Sequence, residues 1–220
     1  MGHKVKVLSF HSKKHPCKLE NLPQEYKDET NFETVFVDLD IKPLPALTAW
    51  LTGESYHVKR FINQQMKNKL AEILRKEEFD IVQMESIFLT PYVPLVRKLS
   101  KAKIVLRSPN VENMIWKRTY KATKNPLKRY YLKHLALTLE YYEKENINQY
   151  DAIFPVTDVD ASYFIENGYR KLCKAVAAGI ETPELIPDVL EEENSIFHIG
   201  STKWFPNEQG IKWFLDSCWK

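Results

Sequence analysis

The chain has 220 residues, of which 44% are hydrophobic and 28% are charged. This composition excludes a disordered chain, and the length suffices for one large or two small packed domains. The formal net charge of +3 does not by itself indicate a nucleic-acid partner. Cys17, Cys173 and Cys218 are widely separated and match no metal or disulfide pattern, which favours a reducing cytoplasm. No apolar run has the length of a signal peptide core or a membrane span, so we expect an intracellular protein.

Short apolar runs alternate with longer helical patterns along the chain. The runs are rich in Val, Ile and Phe and are bounded by charged residues, Pro or Gly, as strands are. The predicted strands are Val5–Phe10, Phe32–Leu39, Asp80–Met84, Lys103–Arg107, Ala152–Val156, Lys174–Ala178 and Ser195–Ile199. Strands separated by helices predict an α/β protein with a mostly parallel, Rossmann-like sheet that helices cover on both faces.

Three segments between the strands carry clear helix signals. Residues 56–80 place apolar side chains at three- and four-residue spacing and predict one amphipathic helix. The longest pattern begins with Asn125 as N-cap and Pro126 in the first turn. A third helix begins with Thr157 as N-cap and Asp160 three residues later, which is a short form of the capping box.

The acidic segment 181–194 contains two prolines and predicts a linker between domains. Residues 195–220 follow it with one strand, one loop and one helix, and a single strand–helix unit cannot bury its own apolar face. We therefore expect a Rossmann-like domain over residues 1–180 and the first unit of a truncated second domain over residues 195–220.

The sequence contains no glycine-rich nucleotide-binding motif, no zinc motif and no nucleophile elbow. In open parallel sheets, ligands bind beyond the carboxyl ends of the strands, and three predicted strands are followed there by polar residues. Capping a helix also requires a polar residue, so each of these residues taken singly has a structural explanation. The residues at these three ends are Glu85, Ser86, Ser108, Asn110, Glu112, Thr157, Asp158 and Asp160.

The run "WKRTYKATKNPLKRYYLKH" is basic and aromatic. Such a run can contact phosphates or an anionic membrane face. More often it is the solvated face of a helical hairpin with Tyr and Trp packed beneath, and this second interpretation is the one we favour from the sequence.

Four stretches occur in a characteristic order: "FDIVQMESIFLTPYV", "IVLRSPNVENMIWKR", "DAIFPVTDVDASYF" and "FHIGSTKWFPNEQGIKWFL". In order and spacing they resemble the family 4 glycosyltransferases of the GT-B fold. The resemblance implies two Rossmann-like domains facing across a cleft, with the acceptor held by the first and a nucleotide-sugar by the second. It also implies transfer with retention of configuration, without a metal or a cofactor other than the nucleotide-sugar substrate.

The resemblance places candidate residues on both sides of such a cleft. The residues expected to line its acceptor side are Glu85, Ser108, Asn110, Glu112, Thr157 and Asp160. Gly200, Trp204 and Asn207 would bind the donor, with Gly200 letting the backbone approach its phosphates. No proton-transfer role is assigned to any of them, and the catalytic residues stay unknown.

The sequence departs from the family in three places. The family's signature glutamates and its phosphate-binding Arg and Lys are absent, and so is the strand with a glycine-rich loop that usually precedes "GHKVKVLSF". Pro109 stands where the family usually has His, and a proline ring can neither donate a hydrogen bond nor move a proton. We therefore expect a fragment that is inactive by itself.

The sequence thus predicts part of a cytoplasmic glycosyltransferase of polysaccharide biosynthesis, which moves a sugar from a nucleotide-sugar to a saccharide or lipid-linked acceptor. A peripheral position at the inner face of the membrane is compatible with this prediction. The alternative is a non-catalytic binding or scaffolding protein that keeps the fold. A nucleic-acid-binding module based on the basic run is a further rival, and we expect no nucleic-acid partner.

Overall fold

The computed structural model describes residues 2–179, 195–202 and 205–219, except for the side chain of Phe205. Residues up to Ala178 form one compact unit, and residues from Gly179 onward form a second. The predicted linker, residues 181–194, lies outside the described residues, as does Trp204.

The first unit alternates strands and helices, as the spacing of the apolar runs predicts. Its strands are β1 (Leu8–His11), β2 (Glu33–Phe36), β3 (Ile81–Met84), β4 (Lys103–Ser108), β5 (Ala152–Pro155) and β6 (Leu172–Cys173). Its α-helices are α1 (Gln24–Thr30), α2 (Pro43–Thr52), α3 (Tyr56–Lys59), α4 (Gln64–Lys76), α5 (Val93–Leu99), α6 (Glu112–Ala122), α7 (Pro126–Asn146) and α8 (Asp158–Glu166). Short 3-10 helices are Leu19–Asn21, Ile87–Tyr92 and Ile147–Gln149.

The strands pair in parallel and form two sheets. One sheet consists of β1 and β2, and the other has the order β3-β4-β5-β6. Three consecutive residues of β4, Ile104, Val105 and Leu106, are buried. Since successive side chains of a strand point to opposite faces, both faces of the larger sheet are covered. The fold is therefore α/β with a Rossmann-like parallel arrangement, as predicted.

Both sheets contribute to one hydrophobic core. Leu8 and Phe10 of β1 pack against the same buried cluster as Met84 of β3 and Leu106 of β4. Phe10 also lies 6.3 Å, between ring centroids, from Tyr92, which follows β3. In the described part of the chain, however, no strand ladder joins β1 to β3. The two sheets are held together by side chains rather than by backbone hydrogen bonds.

β1 in the smaller sheet and β3 at one end of the larger sheet therefore each have one side that pairs with no described strand. The Val7 carbonyl accepts from the Glu33 N–H at 2.9 Å, so residues 7, 9 and 11 direct their peptide groups toward β2. Because these groups alternate along a strand, those of Leu8 and Phe10 point away from β2. On β3, the Asp80 carbonyl accepts from β4, so the peptide groups of Ile81 and Gln83 point away from β4 by the same alternation.

Residues 56–80 do not form one helix. The chain makes α3, breaks over residues 60–63, and restarts as α4 with Asn63 as its N-cap, whose side chain accepts from the Met66 N–H at 3.0 Å. Tyr92 holds this break, because its hydroxyl donates to the Phe61 carbonyl at 2.6 Å and accepts from the Asn63 N–H at 2.9 Å. The prediction of one continuous helix is wrong because a distant side chain binds the backbone here.

The last predicted strand of the first unit is shifted. The strand β6 is Leu172–Cys173 rather than Lys174–Ala178. Backbone pairing with β5 nevertheless continues, since the N–H groups of Lys174 and Val176 donate to carbonyls of that strand at 3.2 and 2.8 Å.

The second unit contains the helix α9 (Phe205–Ser217). The predicted strand Ser195–Ile199 is wrong, because the structure gives these residues no strand conformation. Ile196, Phe197 and Ile199 are exposed. A strand needs a neighbour for its N–H and C=O groups, and the described residues of this unit supply none. Across the described ranges of both units, no helix has the length and apolarity needed to cross a bilayer.

Candidate ligand-binding site

The predicted polar edge lies at the carboxyl ends of β3, β4 and β5, which are neighbours in one parallel sheet. Glu85 follows β3 directly. Its carboxylate accepts from the Arg107 guanidinium at 3.1 Å and from the Gln83 amide at 2.5 Å. The ion pair is about half exposed. Glu85 is therefore at the predicted edge, but its charge is already paired with a strand residue that sequence reasoning missed.

The chain leaves β4 through a tight turn. Ser108, the last residue of β4, is buried, and its hydroxyl donates to the Asn110 carbonyl at 2.7 Å. Pro109 and Asn110 are exposed at the rim of the sheet. This arrangement leaves the Asn110 side chain open to a ligand, whereas the Ser108 hydroxyl is used to shape the turn.

A buried polar cluster follows this turn. Asn113, in the first turn of α6, is fully buried; its side-chain amide donates to the carboxylate of Glu143 and, at 2.7 Å, to the Tyr163 hydroxyl. The Glu143 carboxylate also accepts from the Asn113 backbone N–H at 3.4 Å. A carboxylate at this position satisfies an N–H that the helix leaves unpaired and interacts favourably with the helix dipole.

Burial controls the protonation of this cluster. It raises the pKa of Glu143 to about 7 despite the hydrogen bonds from Asn113, and it raises the pKa of Tyr163 to about 12. It also raises the pKa of Glu112, the first residue of α6. Glu143 occupies a position that helical periodicity assigns to the buried face of α7, next to Leu139. A carboxylate at such a position was the signal that sequence reasoning overlooked.

Thr157 and Asp160 form hydrogen bonds with each other at the start of α8. The Thr157 hydroxyl accepts from the Asp160 N–H at 3.1 Å and donates to its carboxylate at 2.9 Å. This geometry is the predicted N-cap. Among the described residues, neither side chain is hydrogen-bonded to Glu85 or Asn110, so the two groups of predicted site residues are neighbours on the edge without direct contact.

A pocket of about 260 Å³ opens at the carboxyl end of β2, where sequence reasoning placed no site. Asn63 joins this pocket to the edge described above, because its amide donates to the Phe36 carbonyl at 3.0 Å and its backbone N–H donates to Tyr92 beyond β3. The acid pair Asp38 and Asp40 directly after β2 was the available signal. The lining residues are Val37, Asp38, Asp40, Lys42, Pro45, Tyr56, Lys59, Arg60, Ile62 and Asn63.

Arg60 supplies this pocket with a positive charge that no carboxylate of the described residues pairs with. Its guanidinium donates to the Leu39 carbonyl at 2.9 Å and lies 5.6 Å from the centroid of the Tyr56 ring. Its Nε is buried and has no hydrogen-bond partner in the described part of the chain. Burial, together with the Arg60 charge, lowers the pKa of His57 to about 4. The guanidinium is thus held in place by a neutral carbonyl and keeps donors for an anion.

The other charges of the pocket are paired. Lys42 lies 3.0 Å from the carboxylate of Asp38, and Lys13 lies 2.8 Å from that of Asp40. Lys59 pairs in the same way with Glu54, at 2.6 Å. These pairs are largely exposed, so water and ligand hydroxyls can compete for the carboxylates. The pocket therefore offers the Arg60 guanidinium, which forms no ion pair with the residues that the structure describes, next to carboxylate acceptors.

The predicted donor residues belong to the second unit. The Asn207 amide donates to the Ser201 carbonyl at 3.1 Å. A Cβ at Gly200 would lie 2.7 Å from the Asn207 amide nitrogen and 2.8 Å from the His198 ring, so a side chain here would displace the ends of these two side chains. Trp204 is not among the described residues.

Fold and site together define an α/β protein with a Rossmann-like parallel sheet and a charged pocket at its carboxyl edge. Comparisons with protein-family models, with curated proteins and with solved structures found no match to this chain. Within the described ranges, no three His, Cys, Asp or Glu side chains converge in a way that could hold a metal ion.

Proposed function

We propose that this chain is the acceptor-binding part of a glycosyltransferase related to family 4, which moves a sugar from a nucleotide-sugar to a saccharide or lipid-linked acceptor in the cytoplasm. The pocket at the carboxyl end of β2 carries the proposal. There, Asp38, Asp40 and Arg60 converge beside the ring of Tyr56. Carboxylates accept hydrogen bonds from sugar hydroxyls, and a guanidinium binds a phosphate or carboxylate through paired donors.

The size of the pocket supports an acceptor rather than a donor. At about 260 Å³ it lies just below the roughly 300–1,000 Å³ of typical ligand pockets. One sugar ring with a small anionic group suits such a volume better than a whole nucleotide-sugar. The proposed ligand is therefore an anionic saccharide unit, such as a sugar phosphate or a uronic acid.

The roles in this proposal are those of binding and orientation. Asp38 and Asp40 would accept hydrogen bonds from hydroxyl groups of the acceptor, and Arg60 would hold its anionic group. Pro109 cannot carry a proton at the rim of the sheet, so the proposal gives this chain no acid–base residue there. Catalysis in the intact enzyme would depend on positioning and on stabilisation of the leaving phosphate.

Ligand-observed NMR and calorimetry test the proposal with three probes: glucose 1-phosphate, glucuronate and glucose. We expect both anionic sugars to bind more tightly than glucose, and Arg60→Ala to weaken their binding about tenfold or more, since a charged hydrogen bond is lost. Arg75→Ala is the matched control, because Arg75 is exposed on α4 outside the pocket. Equal binding of all three probes, or unchanged binding by a folded Arg60→Ala variant, would refute the proposal.

A non-catalytic binding protein with the same fold is the second candidate, and the exposed Pro109 favours it. A glycosyltransferase would turn over a nucleotide-sugar, whereas a non-catalytic binding protein would not. A labelled nucleotide-sugar incubated with the complete gene product and a bound acceptor yields a labelled product only in the first case. For the 220-residue chain by itself we expect acceptor binding without transfer.

A further inference from the structure

The burial pattern of helix α2 is the reverse of that expected for a helix packed on a core. It buries the small Ala49 against Tyr56 and the middle of α7, while it exposes its large apolar side chains. Leu44, Leu47 and Leu51 follow one another at i, i+3 and i+7, and the first and last are 70% and 72% exposed. Residues at this spacing share one helix face. A helix that is stabilised by the core of its own unit would turn these leucines inward.

The neighbouring helix α7 continues this apolar surface. Leu127 is 82% exposed, and Tyr130, Leu137 and Tyr141 are exposed on the same side of the helix. The two helices meet where the Trp50 ring of α2 contacts the His134 ring of α7, with 6.2 Å between centroids. Single exposed apolar residues are ordinary, but a contiguous patch across two helices is typical of a contact surface.

Positive charge flanks the α7 part of this patch, at the end of α6 and the start of α7. No Asp or Glu occurs between Glu112 and Glu140. Lys117 is paired with Glu140 at 2.7 Å. The other exposed cations near the start of α7 form no ion pair with the residues that the structure describes. These cations are Lys121, Lys124, Lys128, Arg129 and Lys133.

We infer that the exposed faces of α2 and α7 form a docking surface for an anionic lipid membrane. Leucines at the level of the acyl chains, tyrosines and a tryptophan at the interface, and lysines at the head groups are the composition that such a contact requires. A second copy of the chain fits less well, because two cationic rims would repel one another. Nucleic acid fits less well, because phosphate contacts make no use of a row of exposed leucines.

The docking surface adjoins the pocket at β2. Lys42, the N-cap of α2, and Pro45 in its first turn both line that pocket. A lipid-linked saccharide in the bilayer would thus reach the pocket from the membrane side. This last step rests on the proposed function, whereas the membrane contact itself does not.

Sedimentation of the chain with vesicles tests the inference. We expect binding to vesicles of phosphatidylglycerol with phosphatidylcholine and much weaker binding to phosphatidylcholine alone. Replacing Leu44, Leu47 and Leu51 together by Ser removes the inserted apolar area and should lower the partition coefficient about tenfold or more. The double variant Lys128→Glu and Lys133→Glu should lower it to a similar extent and reduce its dependence on salt.

Two control variants match these changes. Val159→Ser alters an exposed apolar residue of α8, and Lys98→Glu with Lys101→Glu reverses two exposed charges outside the surface. Both should bind vesicles like the unmodified chain. The inference is overturned if the leucine variant binds vesicles normally, if it instead abolishes a dimer seen in sedimentation without lipid, or if a single-stranded RNA probe binds at physiological salt while anionic vesicles do not.

Vesicle binding tests the membrane contact, and saccharide binding tests the proposed function, so the two can fail independently. Arg60→Ala should leave vesicle binding unchanged, since Arg60 lies in the pocket. Loss of saccharide binding with intact vesicle binding would refute the proposed function alone.

Discussion

The side-chain amide of Asn113 donates to the carboxylate of Glu143, and both residues are buried, with exposed fractions of 0% and 2%. The contact joins the first turn of α6 to the last turns of α7, and no Lys or Arg among the described residues forms an ion pair with this carboxylate. An isolated buried carboxylate is costly when ionised, so this pair makes the stability of the first unit depend on pH.

The contribution of Glu143 to stability should fall as the pH rises from below 4.5 to above 7. Burial raises the pKa of Glu143 from an ordinary value of 4.5 to about 7, so the folded state holds this proton more tightly than the unfolded state does. The contribution is complete below the unfolded pKa and is lost as the pH rises through the folded one; it amounts to about 3 kcal/mol. Urea unfolding of the unmodified chain and of a Glu143 variant, each at pH 5 and pH 8, measures it, because the comparison cancels groups such as His57 that titrate in the same range.

Glu143→Gln isolates this effect, because a neutral amide cannot ionise. We expect its change in stability between pH 5 and pH 8 to differ from that of the unmodified chain by about 3 kcal/mol, the Glu143 contribution. The exposed neighbour Glu145 provides the control, and Glu145→Gln should keep the full difference. An unchanged difference in the Glu143 variant would show that another group controls the pH response.

His57 should act in the opposite direction on the acid side. It is buried, its ring lies tilted against that of Trp116 with 4.0 Å between ring centroids, and its pKa is lowered to about 4. The fold therefore disfavours the charged ring, and stability is lost as the pH falls from the unfolded value of about 6.5 toward 4. In NMR titrations we expect the His57 ring signals to stay constant above pH 5.5. A midpoint near 6.5 would contradict the burial.

The packing of β4 should dominate the stability of the first unit. Leu106 is fully buried in the core shared by both sheets, so Leu106→Ala should lower the free energy of unfolding by about 2–5 kcal/mol. Leu127→Ala makes the same chemical change at a residue exposed on α7, and we expect an effect within about 0.5 kcal/mol. Denaturant unfolding compares the two, and equal losses would contradict the assigned burial.

Local signals in the sequence were sufficient to predict features that depend on a few neighbouring residues, such as helix caps. Asn125 and Thr157 both cap their helices as predicted, because an N-cap needs only a side-chain oxygen and the N–H three residues later. The α/β class was also predictable, since apolar periodicity distinguishes strands from helices.

Features that depend on distant residues were not predictable in this way. The break between α3 and α4 is held by Tyr92, about 30 residues further on. The free charge of Arg60 follows from the absence of a carboxylate partner among the described residues, which spacing along the chain cannot reveal. The exposed face of α2 was missed because its leucines have the periodicity of a core-facing helix, and periodicity does not indicate which side is covered.

The division of the core between two unlinked sheets has a consequence for local unfolding. β1 and β2 are hydrogen-bonded to each other, and among the described residues they meet the larger sheet through side chains such as Leu8 and Phe10 rather than through a strand ladder. Segments that lack a shared ladder separate at lower cost than segments within one. In deuterium-exchange mass spectrometry, peptides from residues 7–36 should therefore take up label together and earlier than those from β4, as one cooperative unit that opens while the larger sheet stays closed.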